Sequence, residues 1–134
     1  MIKQELQKVN QDILFRVSHP PIDIKIGECN TLLDELLDRN NCMEWAFVSA
    51  CNPYGTALNQ LLNFRRHESL REKLYHYRSI EGEEVNLMET ETSIKGFLVL
   101  GIPRSDSAKL GLLFEQNFIV VGRRGVAAEI LDLR

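Results

Sequence analysis

The segment Glu44–Cys51, Glu-Trp-Ala-Phe-Val-Ser-Ala-Cys, has the length of a strand but is too apolar to alternate. Such a run has to lie in the interior of a sheet with both faces covered. Two more runs share this character: Gly96-Phe97-Leu98-Val99-Leu100-Gly101-Ile102 and Phe118–Val121. Helical patterns separate them, so the chain is read as α/β (α+β), a mixed β-sheet with helices packed on it. Common sheet sizes suggest about five to seven strands. The 134 residues fit a single domain, 1–134, with a core that needs no staples.

The rest of the order follows from periodicity. Ile2, Leu6, Val9 and Ile13 recur at helical spacing, which predicts an N-terminal helical extension over 1–11. Ile13–Val17 and the alternating Ile22–Gly27 flank Ser18-His19-Pro20-Pro21, read as a hairpin connection. Asn30 or Thr31 can cap a helix Leu32–Asn40 with a leucine stripe on one face. Thr56–Arg78 reads as the longest helix, with Leu58, Leu62, Leu70 and Leu74 on one row that Arg66 interrupts. Ser79–Glu84 reads as an acidic solvated loop, and Val85–Glu91 and Ile94–Ile102 as strands. After Pro103, Ser105 is expected to cap a helix that turns Ala108, Leu112 and Leu113 inward. Gly122-Arg123-Arg124-Gly125 then turns the chain into a last strand, Val126–Leu133.

Bulk properties remove some function classes. A formal charge of −3 and a pI near 5.6 argue against general nucleic-acid binding, which needs a basic surplus. No apolar run approaches a membrane span, and Met1–Glu5 lacks the positive, then apolar, start of a secretion signal. Cys29, Cys42 and Cys51 are an odd count without a Cys-x-x-Cys, which suits free thiols in a reducing cytoplasm. A cytoplasmic location is therefore expected.

Chemistry concentrates where the Trp45–Cys51 run meets Asn52-Pro53-Tyr54-Gly55-Thr56 and the helix that follows. Polar side chains at a strand-to-helix junction are what an α/β protein uses to hold a ligand. Asn52, before a proline, is expected to be extended and to end the strand. Asn59 and Asn63 share a helix face with His67 and Arg71. Arg66 on the leucine row needs a fixed partner, either an acid such as Glu44, Glu89 or Glu91 or an anionic ligand. Asn52, Asn63 and Gln116 all fall at strand–helix junctions and are expected to come together. The candidate ligand-binding set is thus Asn52, Asn59, Asn63, Arg66 and Gln116; Asn caps and turns alone would account for much of it. Cys51 has no histidine placed beside it and reads as a buried, inert thiol. His67-Glu68 lacks the second histidine of a zinc motif, so neither metal nor cofactor is expected.

Four segments resemble a bacterial family, domain of unknown function 3293. They are Ile24-Lys25-Ile26-Gly27, Trp45–Pro53, Phe97–Gly101 and Phe114–Val120. The Asn-Pro motif, Asn63 and Gln116-Asn117 are its specific parts. The family pattern has an aromatic where Cys51 stands. It also has a glutamate almost directly before the Phe-Leu-Val strand, where this chain carries Glu89 and Glu91 further upstream. The resemblance implies one bacterial domain and no particular activity.

The leading expectation is a small-ligand-binding or regulatory module with a polar Asn/Arg/Gln face for a small anionic or polar ligand. One alternative is a small enzyme on an anionic or nucleotide-like substrate, with Glu89 or Glu91 as base and Arg65 or Arg66 holding the anion. The other is an assembly subunit, for instance a homodimer joined through the N-terminal helix or the last strand.

Overall fold

The three apolar runs become neighbouring strands at the centre of one sheet. In the computed structural model, which describes residues 12–89 and 93–134, β3 (Glu44–Val48) lies between β5 (Ser93–Leu100) and β6 (Phe118–Arg123). The other strands are β1 (Ile13–Ser18), β2 (Pro21–Ile24), β4 (Arg78–Asn86) and β7 (Glu129–Asp132). The seven-stranded order is β2-β1-β4-β5-β3-β6-β7. All six ladders are antiparallel, and an isolated parallel bridge joins Ile26 to Ala128. That bridge, with Gly27 N–H donating to Ala128 O at 2.7 Å, brings the ends of the sheet together, so the sheet is curled. Three helices complete an α+β fold: α1 (Thr31–Arg39), α2 (Gln60–Lys73) and α3 (Arg104–Leu113). The expected helix over 1–11 lies outside the described residues.

Each face of the sheet has its own core. Cross-strand partners point the same way, so Phe15, Val17, Trp45, Phe47, Leu98, Leu100 and Val120 share one face, closed by Leu33, Leu36 and Leu37 of α1. Ala46, Val48, Phe97, Val99, Ile119 and Val121 make the other, closed by Leu70 of α2, by Leu74 just beyond it, and by α3. Gly82 and Gly96 sit opposite each other on the first face, and the Phe47 ring lies over both. A Cβ on Gly96 would come within 2.6 Å of that ring, so the bare backbone is what lets Phe47 lie there.

Several boundaries differ from the sequence reading, each for a physical reason. Ser79–Glu84 is not a loop but most of β4: it pairs with both β1 and β5. Its alternation puts Glu81 and Glu83 on one side and Gly82 and Glu84 on the other, and the turn begins only at Leu87. Helix α2 ends at Lys73 because Arg78 already pairs with Leu100. Its inward stripe is Asn63, Arg66, His67 and Leu70, continued by Leu74; Leu62 is exposed. Helix α3 starts after Pro103, which holds the N-cap position without a side-chain capping bond where Ser105 was expected to cap, and it turns Ser107 and Gly111 inward while Leu112 and Leu113 are 57% and 59% exposed. A Cβ on Gly111 would meet Leu133 at 2.4 Å, so close approach to the sheet decides that face rather than leucine content. Strand β7 is shorter than the expected Val126–Leu133, and Val126 is exposed.

Candidate functional site

Strand β3 stops at Val48 because its next residues bond to side chains. The Ser49 hydroxyl donates to Lys95 O at 2.7 Å and accepts the Cys51 N–H at 3.1 Å. Asn52 then takes a left-handed conformation (φ 51°, ψ 69°), not the extended one its proline neighbour suggested. Its own amide decides this: Asn52 Oδ1 accepts Leu58 N–H at 3.1 Å and Asn63 Nδ2 at 2.8 Å. In return Asn52 N–H donates to Asn63 Oδ1 at 2.9 Å. Asparagine tolerates this region better than other side-chain-bearing residues. Tyr54 (φ 53°) and Glu115 (φ 60°) are left-handed too, and the Tyr54 N–H donates to Glu115 O at 2.6 Å. Three strained residues thus meet where the β3–α2 and α3–β6 connections touch.

Arg66 clamps these two connections. Its Nε donates to Ala50 O at 2.6 Å, one terminal nitrogen to Phe114 O at 2.6 Å, and the other to Glu115 at 3.4 Å. The fixed partners are therefore internal, and they are carbonyls plus Glu115 rather than Glu44, Glu89 or Glu91. Glu44 faces Arg123 instead. Glu89 is exposed beyond the end of β4, and Glu91 lies outside the described residues. Gln116 Nε2 donates to Cys51 O and to Phe114 O, both at 3.0 Å. Asn59 is the N-cap of α2, its Oδ1 accepting Leu62 N–H at 2.9 Å. Asn52, Asn63, Arg66 and Gln116 do come together, as expected, but most of their hydrogen-bonding capacity is spent on one another and on the backbone.

In front of this scaffold a pocket of about 180 Å³ opens at the end of the sheet where β3 finishes and β5 and β6 begin. Asn52 and Gln116 line it, with Ser49, Cys51 and Asn117; Asn59, Asn63 and Arg66 do not. Its apolar walls include Phe15 and Phe47, whose rings tilt against each other at 5.1 Å, together with Ile94, Phe118 and Val120. Glu84 also lines it, between Phe15 on β1 and Ile94 on β5. No described residue pairs with the Glu84 carboxyl, and burial pushes it up to about 7. Sequence reading missed this residue by placing it in a solvated loop. Apolar alternation could not have found it, because only Ile80 in Ile80–Glu84 is apolar. Burial likewise pushes the Cys51 thiol up, so it stays protonated rather than becoming a thiolate nucleophile.

Arg65 lies elsewhere, in a separate groove with Arg66, Ser69, Lys73, Leu113 and Phe114. On the α2 face of the sheet, His67 stacks on Phe97 at 4.4 Å, and its Nε2 is 2.6 Å from Glu81. Burial works against the Glu81 charge, but the His67 hydrogen bond and Arg71 outweigh it and hold the carboxyl below its usual range. Among the described residues no group of His, Cys, Asp and Glu is placed to hold a metal ion, and no helix is long and apolar enough to cross a membrane.

A family model described as "Protein of unknown function (DUF3293)" matches residues 48–119. No curated protein and no solved structure matches the chain. The matched stretch contains Asn52, Asn59, Asn63, Arg66, Glu84 and Gln116, so the scaffold and the pocket carboxyl both fall inside it. The chain belongs to this family.

Proposed function

We propose that this protein is a small-ligand-binding module whose site is the pocket between Phe15, Phe47, Glu84 and the Asn52 and Gln116 connections. The observation that carries this reading is a concave, largely apolar cavity with convergent polar groups and, in its wall, one carboxyl that no described residue pairs with. Size narrows the ligand. At about 180 Å³ the pocket compares with engineered cavities of about 150 Å³ that take one benzene ring. Drug-sized sites start near 300 Å³, so a nucleotide is too large to be enclosed.

Charge narrows it further. The described lining residues include neither lysine nor arginine, and Arg66 is engaged elsewhere. An anionic ligand would meet Glu84 with no counter-charge, so the ligand of this reading is neutral or cationic. Asn52 and Gln116 remain in the site; Asn63 and Arg66 support it from behind, and Asn59 caps α2 outside it. The Glu84 carboxyl also favours a second reading, a small enzyme that moves a proton in this pocket, because it titrates near neutrality inside a cavity.

Thermal melts against ring-sized neutral compounds such as benzyl alcohol test the binding reading, with Ile94→Phe filling the pocket from its rim. Stabilisation of the wild type, about 2.7 kcal/mol at a hundredfold excess over Kd, should vanish in the variant. Equal responses of the two proteins would refute it.

A further inference from the structure

We propose that the occupant of this pocket is a small organic cation, an ammonium group on an apolar body about one ring in size, with Glu84 as its anchor. The proposal rests on the pocket being a ligand site. Glu84 carries the only formal charge that the described lining residues can supply. It is wedged between Phe15 and Ile94, and no described side chain or backbone N–H pairs with it. A carboxylate left in such a place is costly, and an incoming cation removes the cost.

The rest of the lining suits the same group. An ammonium has three donors and no acceptor. Gln116 spends its Nε2 on Cys51 O and Phe114 O, while its Oε1 accepts nothing from the described residues and is left for a donor. The Phe15 and Phe47 rings line the pocket and give the body of the ligand aromatic, apolar surface. The neighbours of Glu84 add no competing charge: β1 contributes Phe15, β5 Ile94, β3 Phe47 and β6 Phe118 and Val120. Cys51, the other titratable lining group, stays protonated.

Binding should then be coupled to a proton. Free Glu84 is protonated on the acid side of about pH 7, and pairing with ammonium favours the carboxylate, so the ligand displaces a proton. Affinity should rise roughly tenfold from about pH 6 to about pH 8 and then level off.

Isothermal titration of the wild type and of Glu84→Gln with benzylamine, benzyl alcohol and benzoate decides the matter. Benzylamine should bind the wild type most tightly, with the stated pH dependence. Below about pH 7 its heat should vary between buffers of different ionisation enthalpy, as proton release requires. Glu84→Gln should lose at least roughly tenfold in benzylamine affinity, together with the pH dependence. The wild-type pH and buffer dependence stands as a test if the variant folds poorly. Benzoate binding more tightly than benzylamine, or benzylamine affinity that is flat with pH and indifferent to Glu84→Gln, overturns the proposal. The pocket reading survives that result if benzyl alcohol binds the wild type and not Ile94→Phe. If none of the three compounds binds the wild type, both fall.

Discussion

Two polar regions meet at the end of β3, and they are built on opposite principles. At the back of the pocket, Asn63 and Arg66 join Asn52 and Gln116, which also line it, in a network whose donors and acceptors are largely matched to one another and to backbone carbonyls. In front, Glu84 stands in an apolar wall with no described partner. A satisfied network rigidifies, whereas a part-buried carboxyl without a described partner leaves a demand that a ligand can meet. Of the residues conspicuous in the sequence, Asn63 and Arg66 are spent on this network and Asn52 and Gln116 both belong to it and line the cavity, while the acid in the cavity wall, Glu84, looked like one more surface acid.

Arg66→Met probes the first half of that contrast and should have the largest effect. It leaves Ala50 O and Phe114 O without their donors and releases the α3–β6 connection from β3. A loss of about 2–4 kcal/mol in urea unfolding is expected, since hydrogen bonds from a charged group contribute about 1.5–3 kcal/mol each and their effects do not simply add. A change below about 0.5 kcal/mol would mean that water replaces the clamp at no cost.

Glu84→Gln probes the second half. The folded carboxyl titrates at about 7 against an ordinary 4.5, so the native state holds the proton more tightly than the unfolded chain. That contribution is complete below the unfolded value and is lost as pH rises through the folded one. Wild type and Glu84→Gln should therefore differ little near pH 4.5, and by about pH 8 the variant should be more stable by about 2 kcal/mol. Partial solvent exposure of the side chain keeps the effect below that of the full shift. Parallel stability curves at all pH values would place Glu84 in solvent and dissolve the contrast.

What the sequence made legible follows the same division. The apolar runs placed β3, β5 and β6 correctly, because an unbroken apolar stretch of strand length fits little besides a strand covered on both faces. The meeting of Asn52, Asn63 and Gln116 was legible because junction residues share one end of a sheet. Composition hid β4: a run of Glu81, Gly82, Glu83 and Glu84 has low strand propensity, and pairing with β1 and β5 overrides it. The leucine row of α2 misled because its first turns face the polar ends of two connections, where Asn63 and Arg66 are more useful than Leu62. The left-handed Asn52 was hidden as well, since the pre-proline preference is local and the Asn63 amide that overrides it lies 11 residues away.

The Asn52–Asn63 pair refines the scaffold half. Asn52→Ala, Asn63→Ala and the double variant form a cycle whose coupling energy should be about 1–2 kcal/mol, because each amide leaves the other's groups unmatched. Asn52→Gly should be milder than Asn52→Ala, since glycine accepts the φ of 51° while losing the same side-chain bonds. Additive single effects would show that the two amides do not act as one unit.

The smallest effect belongs to Asn59, which separates helix capping from both regions. Its side chain accepts Leu62 N–H at the start of α2 and lies outside the pocket. Asn59→Ala should cost about 1 kcal/mol, and Asn59→Asp should restore it, because aspartate caps as well as asparagine and suits the positive end of the helix dipole. Neither change should alter benzylamine affinity by more than about twofold, a difference near 0.4 kcal/mol. Loss of affinity in Asn59→Ala without rescue by Asn59→Asp would make Asn59 a ligand contact, and the boundary between scaffold and site would have to move to include the helix N-terminus.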